Sequence, residues 1–256
     1  MPAETRGLRR AGQVLLFYLL LLWLGGMLLA GNLFCLPLAL VPARVRQPLM
    51  QRLISALFRL FLAGCTRCGL MRLDLTALDE LNQRPGGMLI LANHPSMIDV
   101  FLVLSRVREA LCLMKADLVT NAFLAVGARL AGYVNNSRPE HLIRTATRAV
   151  RRGQRLLVFP EGTRTVEDPI NPLKPGAGLI AKLAQAPLQV VILRTNSRYL
   201  CKGWPIWRAP RFPVVYQARL GPCLPAPRNA SDTLTQLQNA FRQQLPTSAI
   251  DPEFTV

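Results

Sequence analysis

Met88-Leu89-Ile90-Leu91-Ala92-Asn93-His94-Pro95-Ser96-Met97-Ile98-Asp99 is the stretch from which the fold is read. It begins as an unbroken apolar run, the pattern of a buried strand, and the apolar segment Val100 to Leu104 beyond it can continue as a helix. A histidine stands at the junction, with an acid shortly after. Imidazole is the side chain suited to take a proton near neutral pH, and a carboxylate beside it fixes its tautomer and stabilises the imidazolium. The same residues also read as a helix N-terminus, with Ser96 as cap, Asp99 as the acid of a capping box and His94 as a turn residue. The stretch alone leaves the two readings balanced.

Outward from it the alternation of strand and helix continues. Met71 to Leu75 alternates as a strand, Ser96 to Arg108 is helical, and Leu111 to Lys115 is a short strand. A helix from Asn121 to Leu130 leads through Gly132 to Tyr133-Val134, and a helix from Glu140 to Arg152 leads to a strand from Arg155 to Phe159. A helix beginning near Gly176, strands from Leu188 to Arg194 and from Pro213 to Leu220, and an amphipathic helix from Ser231 to Leu245 complete the pattern. Such alternation specifies an α/β domain with a central mixed sheet flanked by helices. The expected organisation is an N-terminal membrane-anchoring helical region over 1–69, the α/β domain over 70–246 and a tail over 247–256.

The chain is both greasy and basic, with 51% hydrophobic residues, a net charge of +17 and a mean hydropathy of +0.25 over 256 residues. That combination suits a surface lying against anionic lipid, an acidic carrier protein or a phosphorylated substrate. Nucleic acid is the weaker match, because the arginines are dispersed and no nucleic-acid motif occurs. The six cysteines, which include the pair Cys65-Thr66-Arg67-Cys68, have no second pair at zinc spacing and read as reduced thiols of a domain facing the cytoplasm. No metal or cofactor site is expected.

No charged residue occurs from Ala11 to Ala43, and its densest part, Val14 to Ala30, is long enough to cross most of a bilayer. A signal peptide would have a shorter apolar region. Arginines flank both ends, so orientation is not chosen by charge. Gly25-Gly26, Gly31-Asn32 and Pro37 are places to break the helix, and a re-entrant hairpin with both ends cytoplasmic is preferred to a single span. The segment from Gln47 to Leu62 reads as a helix on the membrane or on the core.

Phe159-Pro160-Glu161-Gly162-Thr163-Arg164 follows another apolar strand, at the kind of strand end where α/β sheets bind ligands. Gly162 permits close backbone approach, Thr163 and backbone N–H groups can donate to an oxyanion, and Arg164 can clamp a phosphate. Alone it also reads as an ordinary turn. A shared sheet edge would bring it to His94.

Together, Asn93-His94 with Asp99 and the block Phe159 to Arg164 resemble the glycerolipid acyltransferases typified by 1-acylglycerol-3-phosphate acyltransferase, over about residues 85 to 195. The resemblance implies that His94 and Asp99 are the catalytic dyad; with His94 as general base on the acceptor hydroxyl, no acyl-enzyme is required. It implies a second motif at Gly132 to Arg138, and a lysine, Lys115, that helps hold the acceptor phosphate. It further implies an acyl-CoA or acyl-carrier protein donor, a lysophospholipid acceptor and an inner-membrane location. Arg138, Arg164 and Lys115 would hold the phosphate, Glu161 would hydrogen-bond the acceptor hydroxyl, and N–H groups near Gly162 would stabilise the oxyanion. Asn135 and Asn136 replace the apolar residues usual in the second motif, and Pro187 to Val191 lacks the second proline of the fourth. Both departures bear on the substrate more than on the reaction. Lys202-Gly203-Trp204 is similar to bacterial relatives of specialised-lipid pathways, which leaves a non-glycerophosphate acceptor open.

Other classes fit less well. No G-x-S-x-G nucleophile turn occurs, and Gly176-Ala177-Gly178 lacks the third glycine of a dinucleotide fingerprint. A silent membrane scaffold recruiting acyl-carrier protein would have no need of both dyad members. His141, the other histidine, lies beside Arg144 and Arg148 and reads as a surface residue.

Overall fold

The computed structural model describes residues 3–115, 121–135, 139–245 and 248–254. Helices α1 (Ala3–Phe34) and α2 (Ala43–Arg67) come first, joined through a 3-10 turn at Leu36–Leu40. The chain continues with β1 (Met71–Asp74), β2 (Met88–Ala92), α3 (Asp99–Arg106), β3 (Ala110–Met114), α4 (Ala125–Leu130), β4 (Val134–Asn135) and α5 (Pro139–Arg151). It ends with β5 (Arg155–Val158), α6 (Gly176–Ala184), β6 (Leu188–Thr195), β7 (Val214–Leu224) and α7 (Ala230–Gln244).

The strands form one sheet in the order β1-β7-β6-β2-β5-β3-β4. Every neighbouring pair is parallel except β6 with β7. The exception has a local cause: the segment 196–213 between β6 and β7 contains no helix to make the crossover a parallel pair needs. The sheet is therefore mixed, as the sequence predicts.

Alternate side chains of the central strands feed two cores. Ile90 and Ala92 of β2 join Leu157, Val191, Leu193 and Tyr216 in a core closed by α1, α2 and α3. Leu89 and Leu91 point the other way, with Leu156, Val158, Val190 and Ile192, into a core closed by α5, α6 and α7. Burial on both faces explains why β2 reads as a continuous apolar run instead of an alternating one.

Two helices are shorter than their apolar patterns. Residues 96–98 make a turn before α3, so that helix begins at Asp99. Asn121 spends its side chain on the Phe123 N–H (2.9 Å), an Asx turn that delays α4 to Ala125. At the N-terminus, α1 runs unbroken through Gly25-Gly26 and Gly31-Asn32, and the reversal falls at Cys35 to Val41, where Pro37 opens the 3-10 turn. Asn32 pins that corner, donating to the Ala122 carbonyl (2.7 Å) and accepting from the Gly127 N–H (3.0 Å).

Helix α1 is two-faced. Phe17 and Leu24 are buried in the core, whereas Leu15, Leu19, Leu22, Leu29 and Leu33 are exposed. Both α1 and α2 are long and apolar enough to cross a bilayer. Helix α2 is the more deeply embedded of the two, with Phe58 stacked on Phe101 of α3 (4.1 Å between centroids) and Gln51 donating to the Ala131 carbonyl (2.8 Å).

Candidate active site at the ends of β2 and β5

Because β2 and β5 are parallel neighbours, with Leu91 opposite Val158, their C-terminal ends deliver His94 and Glu161 to the same edge of the sheet. The His94 N–H donates to Glu161 Oε1 at 2.8 Å. The return contact is made by Thr165, whose N–H donates to the His94 carbonyl at 2.7 Å.

The His94 ring is held on two sides. It stacks on Phe159, with centroids 4.0 Å apart, and its Nδ1 lies 2.9 Å from Asp99 Oδ2. An ionised carboxylate only accepts, so this contact fixes the Nδ1–H tautomer and leaves the lone pair on Nε2. Asp99 is fully buried, while the His94 side chain keeps 15% of its surface exposed. The acid is thus shielded and the base is open.

Asp99 Oδ2 also accepts the Ser96 N–H at 2.7 Å, which is the reach-back half of a capping box. The Ser96 hydroxyl donates to the Tyr199 carbonyl at 2.8 Å, with the Ile98 N–H only 3.4 Å away from it. Only this half of the capped-helix reading is realised: the N-cap of α3 is Ile98, with no side-chain cap, and Ser96 does not cap the helix because its hydroxyl is spent on Tyr199. Burial pushes the Asp99 carboxyl above its ordinary value, against the hydrogen bond and charge of His94, the Ser96 N–H and the Arg164 charge. Its other oxygen, Oδ1, is buried with no partner among the described residues.

Glu161 is used inside the chain. One carboxylate oxygen takes the His94 N–H and the Thr165 hydroxyl (2.9 Å), the other takes the Asn171 N–H (3.0 Å), and the residue is buried. It braces the His94 backbone, and its oxygens are not presented to an acceptor hydroxyl. Burial raises its carboxyl above the ordinary value in spite of these three donors. Arg164 donates through Nη1 to the carbonyls of Leu200 (2.9 Å) and Cys201 (3.0 Å), which ties the block to the segment 196–213 and leaves its remaining donors unpaired among the described residues.

Gly162 has a left-handed backbone (φ 68°), which explains glycine there, and its N–H closes a turn on the Phe159 carbonyl (3.0 Å). That N–H is committed, so of the N–H groups near Gly162 it is a neighbouring one that is left for an oxyanion. Thr163, half-buried, has neither hydroxyl nor N–H paired among the described residues. Gly132 likewise needs glycine: its φ is 77° and an added Cβ would lie 2.7 Å from the Gln47 side chain of α2. Lys115 is exposed just after β3, and Arg138 lies outside the described residues. His141 is on the exposed side of α5.

Several supporting residues carried no role in the sequence. Asn93 exchanges two bonds with Leu193 of β6 (2.9 and 2.7 Å), locking the turn before His94 to the neighbouring strand. Asn171 accepts from the N–H groups of Val166 and Glu167 (3.0 Å each) and donates to the Arg164 carbonyl (3.1 Å), shaping the loop after the block. Polar side chains at the ends of apolar strands were the available signal for Asn93; nothing local marked Asn171.

Residues 74–194 match the family model described as Acyltransferase. The 1-acyl-sn-glycerol-3-phosphate acyltransferase of Saccharomyces cerevisiae is 30% identical over 138 residues, 50% of this chain and 45% of that protein. The chloroplastic 1-acyl-sn-glycerol-3-phosphate acyltransferase BAT2 of Brassica napus is 22% identical over 135 residues, 51% of this chain and 39% of that protein. The matches thus span less than half the length of these curated relatives. The crystal structure of the 1-acyl-sn-glycerophosphate (LPA) acyltransferase PlsC from Thermotoga maritima shares the fold, with a TM-score of 0.66 at 16% identity over 94% of this chain and 96% of that one.

Proposed function

We propose, from the match of residues 74–194 to the acyltransferase family model, that the protein is a membrane-associated O-acyltransferase moving a fatty acyl group from a thioester to the free hydroxyl of a lysophospholipid of the 1-acylglycerol-3-phosphate kind. The observation that carries the reading is the His94 Nδ1 to Asp99 Oδ2 contact of 2.9 Å on a ring that is still partly exposed.

The reaction follows from that tautomer. Nε2 takes the proton from the acceptor hydroxyl as its oxygen attacks the thioester carbonyl. The tetrahedral oxyanion is met by the Thr163 N–H and hydroxyl, which are unpaired among the described residues. Collapse breaks the carbon–sulfur bond, and the departing thiolate recovers the proton from the His94 imidazolium. Asp99 stabilises that imidazolium, and no covalent enzyme intermediate is needed. The unpaired donors of Arg164, with Lys115 and Arg138, hold the acceptor phosphate. The yeast and plant relatives, both named as 1-acyl-sn-glycerol-3-phosphate acyltransferases, favour a phosphate-bearing acceptor.

The test is purified full-length protein in detergent or nanodiscs, given acyl-CoA or acyl-carrier protein and a panel of lysolipids with and without a phosphate, with products identified by mass spectrometry. Transfer to a phosphate-bearing lysolipid, lost in His94→Ala while vesicle association is kept, is the expected result. Full turnover in His94→Ala would remove the dyad from the mechanism; transfer only to phosphate-free acceptors would remove the phosphate role of Arg164.

A further inference from the structure

The layer of helices facing away from α1 and α2 carries a feature the acyl-transfer reading does not use. Between α5 and α6 lies a groove of about 460 Å³, lined by Ile143, Arg144, Thr147, Arg148, Arg151, Arg152 and Leu183. The arginines follow one another at positions that put them on one side of a helix, and all four are exposed. Like charges at that spacing repel, and none of them is paired with an acid among the described residues.

The groove has a built floor. Arg151 donates through Nε and Nη2 to the Leu183 carbonyl at the end of α6 (3.1 and 2.6 Å), which fixes the wall between the two helices. Thr147, 8% exposed, has a buried Oγ1 with no hydrogen-bond partner among the described residues. A buried hydroxyl without a partner, under a row of guanidinium groups, is a place for an oxyanion.

We propose that this groove is a second ligand site, separate from His94, for a soluble organic phosphate carrying more than one negative charge. The guanidinium groups of Arg144 and Arg148 take the phosphate oxygens, the Thr147 hydroxyl completes the contact, and Ile143 and Leu183 receive the apolar part. Its size is that of small-molecule pockets, about 300–1,000 Å³. The sheet separates it from the exposed leucines of α1, so a bilayer held by that helix does not cover it.

The test uses full-length protein in zwitterionic nanodiscs and calorimetric titration with inorganic pyrophosphate, ATP and coenzyme A. Separate arms use vesicles containing anionic phospholipid and a soluble poly-glutamate peptide. Saturable, salt-sensitive binding of at least one phosphate is expected, weakened about tenfold or more in Arg144→Gln/Arg148→Gln and more modestly in the near-isosteric Thr147→Val. It should be unchanged in His94→Ala, so the result is independent of whether the acyltransferase reading stands. No binding of any phosphate, binding indifferent to the double substitution, or arginine-dependent binding only of vesicles or of the acidic peptide would overturn the proposal. Unchanged melting of the variants establishes that the loss is one of contacts.

Discussion

Asp99 must be charged in a place where charge is costly, and that conflict makes its consequences measurable. Burial raises its carboxyl and that of Glu161 above their ordinary values of 3.8 and 4.5. Between those values and the raised ones the folded protein binds more protons than the unfolded chain, so stability increases as pH falls through that window and decreases as pH climbs through it. We expect the melting temperature to rise as pH is lowered from neutral toward those ordinary values, with a flatter slope in Asp99→Asn and Glu161→Gln. Asp74, held under its ordinary value chiefly by the Gln217 amide, works against this trend as it protonates at lower pH. An unaltered slope in both variants would remove these carboxyls as its source. In activity, Asp99→Asn should lower kcat by about a thousandfold or more while the melting temperature holds or rises, because the imidazole loses its preferred tautomer and the fold loses a buried charge. Glu161→Ala has a different signature. It strands three donors, the His94 and Asn171 N–H groups and the Thr165 hydroxyl, and should cost about 3 kcal/mol or more of stability by denaturant titration.

At the scale of elements, the segment 196–213 is what α1 and the catalytic turn have in common. Its carbonyls at Tyr199 and Leu200 receive Ser96 Oγ (2.8 Å), the Met97 N–H (3.1 Å) and Arg164 (2.9 Å). On its other side, Tyr199 and Phe212 pack edge-on and tilted against Phe17 of α1, at 5.6 and 5.5 Å. An apolar helix therefore supports a polar site through one loop. Phe17→Ala should cost about 3 kcal/mol and speed amide exchange across 196–213, with a fall in kcat. The opposite face of α1 predicts the reverse pattern. Leu22, 74% exposed, changed to serine should leave melting untouched and weaken vesicle flotation.

For the molecule as a whole, the helices before β1 are part of the core. Phe58, Phe61, Leu62 and Cys65 of α2 pack in one cluster with Ile90, Leu102 and Tyr216. A chain trimmed to 70–256 should lose its cooperative melting transition and elute as aggregate, which circular dichroism and size exclusion would register. Much of the architecture was legible beforehand because it rests on neighbours in the chain. Strands buried on both faces announce themselves as apolar runs, and His94 and Asp99 are close enough in sequence for one turn to join them. The halting of α3 and α4 was less legible, since side chains of the turn residues claim backbone groups that the apolar pattern assigns to helix. What the sequence by itself determined is an α/β chain with an apolar N-terminus and a histidine–aspartate pair at a strand end. Only the tertiary structure decided that β5 lies beside β2, turning Glu161 inward as the brace of His94, and that Arg164 is tied to the carbonyls of 196–213. Those partners are 67 and 36 positions apart, and contacts at such separation depend on the order in which strands assemble, which no local pattern encodes.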